Sequence, residues 1–261
     1  MRTPIVAVAR LALAFMLVAA PTGAGAQDNT PAAPTIAKPA RPGIGPHDDR
    51  VRVDPNTVPW RAIGKLQVAA ASWYSACTGT LIGPALVLTA AHCVFNEHAG
   101  QFYRPAALHF LIGADGDRYA GHAQIVSYVT GAGYDHAKPE ETLGSDWALL
   151  TLDEKLGTPD RLLRLSAAPP EIGASVMIGG YSEDHRYILT ADEHCRVTGQ
   201  ALDAQGKHVL RHDCTGTRGV SGAPLLIEEH GIWRVGGVAV AAQMGASVGF
   251  AVTLDEVRKH L

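Results

Sequence analysis

The sequence predicts an all-β fold made of two antiparallel units. The 261 residues include 28 glycines and 16 prolines, and a chain that turns this often favours short strands over long helices. From Val58 onward, short apolar runs alternate with Gly, Pro or Asp, and about six such runs fall in each half of the chain. The two halves join near residues 157–170.

Each apolar run is short enough for a strand and is bounded by turn residues. In the first unit, expected at about residues 57–156, the predicted strands are 63–68, 79–82, 85–90, 107–112, 123–128 and 147–152. In the second unit, expected at about residues 170–252, they are 175–180, 194–198, 209–213, 223–227, 235–241 and 249–252.

The final stretch has a different pattern. Apolar residues recur near helical spacing from Leu254 onward. Thr253 followed by Glu256 fits a capping box, in which two side chains bond the free N–H groups of the first helical turn. The sequence therefore predicts a short C-terminal helix over residues 254–261.

Residues 1–26 have the pattern of an export signal. Arg2 and Arg10 supply positive charge, a ten-residue apolar run follows, and small residues end the stretch at Ala26. A membrane anchor is the alternative, but a span needs about 20 apolar residues, and Arg10 interrupts a shorter stretch here. We therefore expect a secreted or periplasmic protein that is not inserted in a membrane once the signal is removed.

Residues 27–46 are rich in proline and alanine and have no apolar pattern that would build a core. Such a segment is extended and flexible, so we expect either a linker or a removable pro-segment. The folded domain is then expected at residues 47–261.

Composition excludes two broad classes of protein. The chain has 22 basic and 25 acidic residues, a net charge of −3, and 47% hydrophobic residues. A disordered chain would be poorer in apolar residues and more highly charged. A nucleic-acid-binding protein would carry an excess of basic residues, so no nucleic-acid partner is expected, and nothing in the sequence calls for a cofactor.

The cysteine count is even, which in an exported chain favours disulfides. The four positions are Cys77, Cys93, Cys195 and Cys214. Three pairings are possible, and the spacing favours the two local ones, Cys77–Cys93 and Cys195–Cys214. Metal binding is the alternative, because histidines lie near these cysteines. None has the C-x-x-C or H-E-x-x-H spacing of a zinc site, so no metal is expected.

Three short segments carry reactive residue types. They are residues 89–93 with His92, residues 144–150 with Asp146, and residues 217–224 with Ser221 between glycines. Taken singly, each has an ordinary explanation as a turn or a strand cap. Together they meet one chemical need. A serine hydroxyl attacks poorly until a base takes its proton, the base needs an anion to hold its tautomer, and the developing oxyanion needs backbone N–H donors.

These segments resemble the chymotrypsin-like, trypsin-fold serine proteases, and among them the bacterial glutamyl-endopeptidase-like branch. The resemblance covers about residues 48–261. Its most specific parts are Thr-Ala-Ala-His-Cys at 89–93 and Gly-Val-Ser-Gly-Ala-Pro at 219–224, with His, Asp and Ser in the order of that family. It implies two six-stranded antiparallel β-barrels with the site in the cleft between them.

Carried over residue by residue, the resemblance implies a role for each group. Ser221 becomes the nucleophile, His92 the general base and then the acid, and Asp146 the residue that orients His92. The N–H groups of Gly219 and Ser221 form the oxyanion hole, and the Cys77–Cys93 pairing matches the bridge of the family beside its catalytic histidine. The implied protein is an exported serine endopeptidase that acts on polypeptides as a monomer through an acyl-enzyme.

The resemblance also places the substrate pocket. Its walls are expected to be Thr215, Gly216, Thr217, Arg218, Val238, Ala239 and Val240. No acid stands at Thr215, where trypsin-like enzymes have one, and Ala239 stands where glutamyl-specific relatives have a histidine. These small, mainly uncharged walls predict a small or medium apolar side chain before the cut. Arg218 either meets an acidic group of the substrate or points into solvent.

Val220 departs from the pattern of the family. In trypsin-type zymogens this position is an Asp that pairs with a newly freed N-terminus. Valine cannot form that ion pair, so we expect no activation by that switch.

Two other functions stay open at this point. The first is a non-catalytic secreted binding protein, because one fold hosts many functions. The second is an esterase-like acyl transfer by the same three residues. An α/β-hydrolase is disfavoured, since it needs G-x-S-x-G and the order Ser, Asp, His, whereas Ala223 interrupts the motif and Ser221 comes last.

Overall fold

The computed structural model describes residues 40–68 and 76–261. The predicted export signal at 1–26 and most of the 27–46 segment lie outside the described residues. The strands of the described part, in chain order, are β1 (Val51–Arg52), β2 (Ile63–Val68), β3 (Ala76–Gly83), β4 (Leu86–Thr89), β5 (Phe95–Asn96), β6 (Gln101–Phe102), β7 (Leu108–Ile112), β8 (Gly121–Thr130), β9 (Ala148–Leu152), β10 (Arg164–Leu165), β11 (Ser175–Gly180), β12 (Thr190–Leu202), β13 (His208–His212), β14 (Pro224–Glu229), β15 (Ile232–Ala242) and β16 (Gly249–Val252).

Short helical turns connect several of these strands. The 3₁₀ turns are Trp60–Ala62, Ala91–Val94, Pro105–Ala107, Leu143–Ser145 and Glu183–His185, and the α-helix α1 is Asp255–Arg258. No helix in residues 40–68 or 76–261 has both the length and the apolar character needed to cross a membrane.

Six strands of the first half close into a barrel in the order β2-β3-β4-β9-β8-β7. Its core follows from alternation: in β7, Leu108, Phe110 and Ile112 are fully buried, while the residues between them are half-exposed. Gly64 and Gly79 lie opposite each other in β2 and β3. A Cβ at Gly64 would collide with the Phe110 ring, so the two glycines leave the space that this aromatic side chain fills.

The second half closes in the same way. Its order is β12-β11-β14-β15-β16-β13, and the pairing of β13 with β12 completes the ring. Two short strands attach to the outside: β1 pairs with β12, and β10 runs parallel to β15. The fold class expected from the sequence, two six-stranded antiparallel barrels, is confirmed.

The strand predictions differ from the structure where apolar alternation is weak. The run predicted at 194–198 is the middle of β12, which spans Thr190–Leu202. Residues 199–202 of this strand are mostly exposed, because they pair with β13 on one side and no longer with β11 on the other. Two-residue strands such as β1 and β10 are too short to produce a periodic pattern and were not predicted.

The C-terminal helix is shorter than predicted and begins differently. It spans Asp255–Arg258, and Leu254 stands at its N-cap without a side-chain capping bond. The capping box was wrong because the Thr253 hydroxyl donates instead to the carbonyl of His208 at 3.4 Å. The helix is held by packing, since Leu254 and Val257 are fully buried.

Both local disulfides are present. Cys77 in β3 joins Cys93 in the turn after β4, and Cys195 in β12 joins Cys214 beyond β13. The bridged cysteines are 16 and 19 residues apart, so the loop-entropy model assigns each bridge about 3 kcal/mol of stability. Each bridge fastens a loop of the cleft to a barrel strand.

Thr78 connects the two barrels. It lies in β3 of the first barrel and is fully buried. Its hydroxyl accepts the N–H of Tyr181 at 3.0 Å and donates to the carbonyl of Gly219 at 2.8 Å, both in the second half of the chain. Its backbone N–H donates to the carbonyl of Ser221 at 2.8 Å. A single residue therefore holds the Gly219–Ser221 loop against the first barrel.

We expect Thr78→Val to destabilise the protein. Valine keeps the shape of the side chain but leaves the N–H of Tyr181 and the carbonyl of Gly219 buried without this partner. The free energy of unfolding, measured by urea denaturation, should fall by about 1–3 kcal/mol. Thr80→Val is the matched control, because the Thr80 hydroxyl is buried without a hydrogen-bond partner in the described structure. Equal losses in the two variants would contradict this role of Thr78.

Candidate active site

His92 is fixed at the end of a buried strand. Strand β4 ends at Thr89, and the chain then turns through the 3₁₀ segment Ala91–Val94. Cys93, the next residue, is bridged to β3, so the turn cannot move away from the barrel. The His92 backbone N–H donates to Asp146 Oδ1 at 2.8 Å, and its ring Nδ1 lies 2.6 Å from Asp146 Oδ2.

Asp146 is the buried partner of this pair. It follows the turn Leu143–Ser145 and precedes β9, and its side chain is only 6% exposed against 25% for His92. Since an ionised carboxylate only accepts, Nδ1 carries the proton and Nε2 is left as the free ring nitrogen. The geometry therefore selects one tautomer of His92.

A hairpin of the second barrel supports the turn before Asp146. Asp203 Oδ2 accepts the N–H of Gly144 at 2.9 Å. Lys207 Nζ donates to the Ser145 hydroxyl at 2.6 Å and to the Ala132 carbonyl. The outer part of the β12–β13 hairpin thus contributes to the position of a carboxylate in the first barrel.

The electrostatics of His92 follow from this arrangement. Burial of the ring opposes its protonation, but the charge and the hydrogen bond of Asp146 outweigh burial, with a smaller contribution from Glu97. The net effect raises the pKa of His92 above its ordinary value of 6.5. The carboxylate therefore favours the imidazolium form that a general base becomes once it has taken a proton.

Ser221 lies in a loop that requires glycine on both sides. Gly219 and Gly222 have φ of 92° and 83°, a region that L-residues with a side chain avoid. A Cβ at Gly222 would collide with the Thr89 hydroxyl, and one at Gly219 with the carbonyl of Tyr181. The glycines thus let this loop lie directly against the strand that leads to His92.

Two backbone donors of this loop are free. Within the described part of the chain, the N–H groups of Gly219 and Ser221 donate no hydrogen bond. His92, Gly219 and Ser221 line one cavity of about 400 Å³, together with Arg218 and the Cys77–Cys93 bridge. Ser221 and His92 are both described, and no hydrogen bond joins the serine hydroxyl to the ring. Such bonds often tighten only when substrate binds.

A second, smaller cavity of about 170 Å³ opens beside Ser221. Five of the predicted pocket residues line it: Gly216, Thr217, Arg218, Ala239 and Val240. Thr215 and Val238 do not. Thr215 is 1% exposed and its N–H bonds Asp192 Oδ2 at 2.8 Å, while Val238 is fully buried in the core. Both residues lie behind the wall of this cavity.

His212 also lines this cavity, and the sequence reasoning missed it. It is 3% exposed, and its ring lies against Gly249. Its Nδ1 accepts the N–H of Cys214 at 3.2 Å, which places the ring proton on Nε2. A usable signal was the two-residue spacing from the fully buried Leu210, because residues two apart in a strand share a face.

The polar groups of this cavity lack partners. His212 Nε2 and the Thr217 hydroxyl are both buried without a hydrogen-bond partner in the described structure. Burial lowers the pKa of His212 to about 4, against a smaller opposing effect of Asp213. The imidazole is therefore neutral at pH 7, and its Nε2–H is a donor without a partner in the described structure.

Potential metal ligands cluster in three places of the described chain. They are Cys77, His92 and Cys93; Cys195, Asp213 and Cys214; and Asp48, Asp184 and His185. The cysteines of the first two groups are in disulfides and are not thiolate ligands. Both carboxylates of the third group bind Arg50. The donor sets therefore do not fit a resident metal.

A match to the Trypsin-like peptidase domain family covers residues 77–238, which include all three residues of the candidate triad. The chain belongs to this family. The family that the motifs indicated is confirmed, and the matched residues of the trypsin-like domain run from β3 of the first barrel to β15 of the second.

Curated relatives of this trypsin-like domain come from distant organisms. A glutamyl endopeptidase of Bacillus licheniformis is 31% identical over 140 residues, covering 52% of this chain and 41% of that protein. Trypsin zeta of Drosophila erecta is 28% identical over 168 residues, 56% of either chain. Granzyme M of Homo sapiens is 30% identical over 135 residues, 52% of this chain and 43% of its own. The chain spans about half the length of these relatives.

Solved structures share the fold. A Glu endopeptidase in complex with MPD superposes with a TM-score of 0.68 at 18% identity, covering 83% of this chain and 98% of its own. The thermostable serine protease AL20 from an extremophilic microorganism gives 0.60 at 19% identity, covering 76% and 94%.

The raised pKa of His92 gives this trypsin-like domain a specific pH dependence. A base must be neutral to accept a proton, so the reaction of Ser221 with a fluorophosphonate should accelerate as pH rises through the His92 pKa. We expect the midpoint of this rise in rate with pH to lie above 6.5, the ordinary pKa of histidine. In Asp146→Asn the midpoint should move down and the rate should fall by about 10³–10⁴-fold.

The control for this measurement is Asp160→Asn. Asp160 is an exposed carboxylate outside both cavities, so its removal should leave this rise in rate with pH unchanged. An unmoved midpoint in Asp146→Asn, with the variant folded, would show that Asp146 does not set the pKa of His92.

Proposed function

We propose that this protein is an exported serine endopeptidase that cleaves polypeptides through an acyl-enzyme intermediate. One observation carries the proposal. His92 donates two hydrogen bonds to one buried carboxylate, and it lines a single cavity with Ser221 and with backbone N–H groups that have no partner in the described chain.

The proposed reaction begins at the Ser221 hydroxyl. His92 Nε2 takes the hydroxyl proton while Oγ attacks the carbonyl carbon of the scissile peptide. The carbonyl oxygen becomes an oxyanion, and the N–H groups of Gly219 and Ser221 donate to it. Asp146 stabilises the imidazolium that forms. His92 then gives its proton to the leaving amine, and the peptide C–N bond breaks to leave an ester on Ser221.

Deacylation repeats the same steps with water. His92 removes a proton from water, whose oxygen attacks the ester carbon, and the same two N–H groups bind the second oxyanion. His92 then returns the proton to Ser221 Oγ as the acid product leaves. Free enzyme is regenerated with no net gain or loss of protons by the protein.

Export is supported by two features. The disulfides Cys77–Cys93 and Cys195–Cys214 persist in oxidising compartments and are rare in the cytosol. Residues 1–26 have the charge and apolar pattern of an export signal. We therefore place the mature protein in the periplasm or outside the cell.

A secreted binding protein on the same fold is the alternative. A protein that had lost catalysis would be expected to lack at least one part of the machinery. His92, Asp146 and Ser221 are all present, and so is the glycine that the oxyanion loop requires. These residues favour the enzyme.

The test is labelling with a fluorophosphonate, which reacts covalently with activated serines. The wild-type chain should be labelled, and Ser221→Ala should not. Ser182→Ala is a matched control, because Ser182 is a buried serine with an unpartnered hydroxyl in the described structure. A well-folded wild type that takes no label, and that hydrolyses no peptide in a proteome-derived pool, would support the binding protein instead.

The proposed cleavage preference differs from the apolar one that the sequence suggested. The substrate side chain would enter the 170 Å³ cavity beside Ser221. Two residues that line it, His212 and Thr217, carry donors without partners in the described structure, and Arg218 lines it as well. An apolar side chain would leave these donors buried and unpaired. A carboxylate satisfies them and gains from the positive charge of Arg218.

We therefore propose that cleavage follows an acidic residue, and in particular glutamate. The relative from Bacillus licheniformis is named a glutamyl endopeptidase. Here, however, Ala239 replaces the histidine expected on β15, and His212 reaches the cavity from β13.

Two substitutions of His212 distinguish the contribution of Nδ1 from that of Nε2. Asparagine places an amide group near Nδ1 and removes the Nε2 donor, whereas glutamine can place an N–H near Nε2. For matched peptides with Glu or Leu before the cut, wild type should favour Glu. His212→Asn should lose about 10- to 100-fold of that preference in kcat/KM, and His212→Gln should retain more of it. Equal rates for Glu and Leu peptides with wild type would contradict the acidic preference.

A further inference from the structure

Arg50 is the buried centre of an ion cluster. Its side chain is only 2% exposed. Nε and Nη2 donate to the two oxygens of Asp48 at 2.8 and 2.7 Å, and Nη1 and Nη2 donate to the two oxygens of Asp184 at 3.0 and 2.8 Å. We call Asp48, Arg50 and Asp184 the Arg50 clamp. It joins the segment before β1 to the turn Glu183–His185.

The charges of the clamp are fully formed at neutral pH. Burial would raise the pKa of Asp184, but hydrogen bonds and charge from Arg50 outweigh it and hold that pKa below its ordinary value. The hydrogen bond from Arg50 likewise lowers the pKa of Asp48. Each of the two carboxylates therefore binds the Arg50 guanidinium through two hydrogen bonds, and this planar arrangement permits little rotation of the guanidinium.

The turn held by the clamp contacts the loop that carries the candidate oxyanion donors. The N–H of Glu183 donates to the carbonyl of Arg218 at 2.7 Å. The carbonyl of Tyr181 lies so close to Gly219 that a Cβ there would collide with it. Asp184 therefore directly follows Glu183, whose N–H binds the carbonyl oxygen of the peptide between Arg218 and Gly219.

Because the Arg218–Gly219 peptide is planar, the hydrogen bond to its carbonyl also fixes the direction of the Gly219 N–H. In a trans peptide the carbonyl oxygen and the following N–H point in opposite directions. With the carbonyl of Arg218 bound by Glu183, the N–H of Gly219 must point away from the turn. Rotation of this one peptide would exchange the two groups, so that a carbonyl oxygen replaces a donor at the oxyanion position.

The residue before Ser221 cannot supply this control. Val220 has no charge to anchor the loop, and its N–H is used by the carbonyl of Thr217 at 3.0 Å. Thr78 binds the carbonyl of Gly219 and so fixes the Gly219–Val220 peptide. The Arg218–Gly219 peptide before it is held by Glu183.

We infer that Arg50 is a positioning residue that, through Asp184 and the turn 183–185, holds the Arg218–Gly219 peptide with its N–H directed at the oxyanion. This inference rests on the proposed endopeptidase function, because the peptide matters only if an oxyanion forms at Ser221. It gives the segment before β1 a part in catalysis without contact with the substrate.

The test compares two variants of the clamp with two variants of a neighbouring ion pair. Arg50→Ala removes the guanidinium, and Asp184→Asn weakens the clamp while keeping its shape. Arg52→Gln and Asp115→Asn disrupt the neighbouring exposed ion pair, in which Arg52 Nη2 lies 2.8 Å from Asp115 Oδ1. All four are assayed for thermal unfolding, kcat and KM on one peptide, and inhibition by a peptide aldehyde, whose adduct with Ser221 carries an oxyanion.

We expect kcat to fall by about 10- to 100-fold in Arg50→Ala and about 3- to 10-fold in Asp184→Asn, with KM changed less than about twofold, since the donor acts on the transition state. The inhibition constant of the aldehyde should rise by the same factor as kcat falls. The Arg52 and Asp115 variants should match wild type. A purely structural role would lower the unfolding temperature without this kcat and aldehyde pattern.

The outcomes separate this inference from the proposed function. Folded Arg50→Ala, or folded Asp184→Asn if the first variant does not fold, with unchanged kcat and aldehyde inhibition would overturn the inference and leave the endopeptidase intact. An equal loss of kcat in the Arg52 variant would also overturn it. A wild type that neither labels nor cleaves peptides would instead refute the proposed function.

Discussion

The hydrogen bonds of Thr78 are the interaction on which the site geometry depends. The two barrels come from opposite halves of the chain, and their relative position is useful only if His92 and Ser221 meet. Thr78 binds the carbonyls of Gly219 and Ser221, while its neighbour Cys77 is bridged to Cys93, beside His92. Two consecutive residues of β3 thus hold the turn of His92 and the loop of Ser221. Because an unpaired buried polar group costs free energy, these hydrogen bonds favour this docking of the barrels over others.

Close approach in this region explains why small residues surround the reactive ones. The loop after Ser221 lies directly on β3 and β4, and a side chain at Gly222 would meet both the Thr89 hydroxyl and the Thr78 carbonyl. The Thr89 hydroxyl in turn donates to that carbonyl at 2.7 Å. Thr78, Thr89 and Gly222 therefore form one packed unit. The Gly-Val-Ser-Gly pattern is then a requirement of packing as well as of backbone donors exposed at the site.

The parts of the structure that the sequence predicts are those encoded in neighbouring residues. Alternating apolar runs predicted the barrel strands, and local spacing predicted both disulfides. The long strand β12 was underestimated because its outer half is exposed and has no apolar alternation. His212 was missed for a different reason. Its place in the cavity depends on Gly249 and Ser221, which lie 37 and 9 positions away in the sequence. Only the closed second barrel brings the three residues to one cavity.

Arg50 illustrates the same limit. In the sequence it is one of 22 basic residues in a polar segment. Its partner Asp184 is 134 positions away, and the buried guanidinium gains its place from the pairing of β1 with β12. No local sequence motif marks Arg50, and its contact with Asp184 is set by the register in which β1 pairs with β12.

The clamp also differs chemically from an anchor that would depend on a charge at position 220, where this chain has valine. An anchor based on a freed N-terminus would be an amine that titrates near pH 8, and it would exist only after proteolysis. A guanidinium stays charged throughout the pH range in which a protein is folded. It belongs to the chain from synthesis onward, so the turn at Glu183–His185 can hold the Arg218 carbonyl as soon as the barrels close. The ions that orient the Gly219–Ser221 loop are therefore present and paired in the folded chain itself.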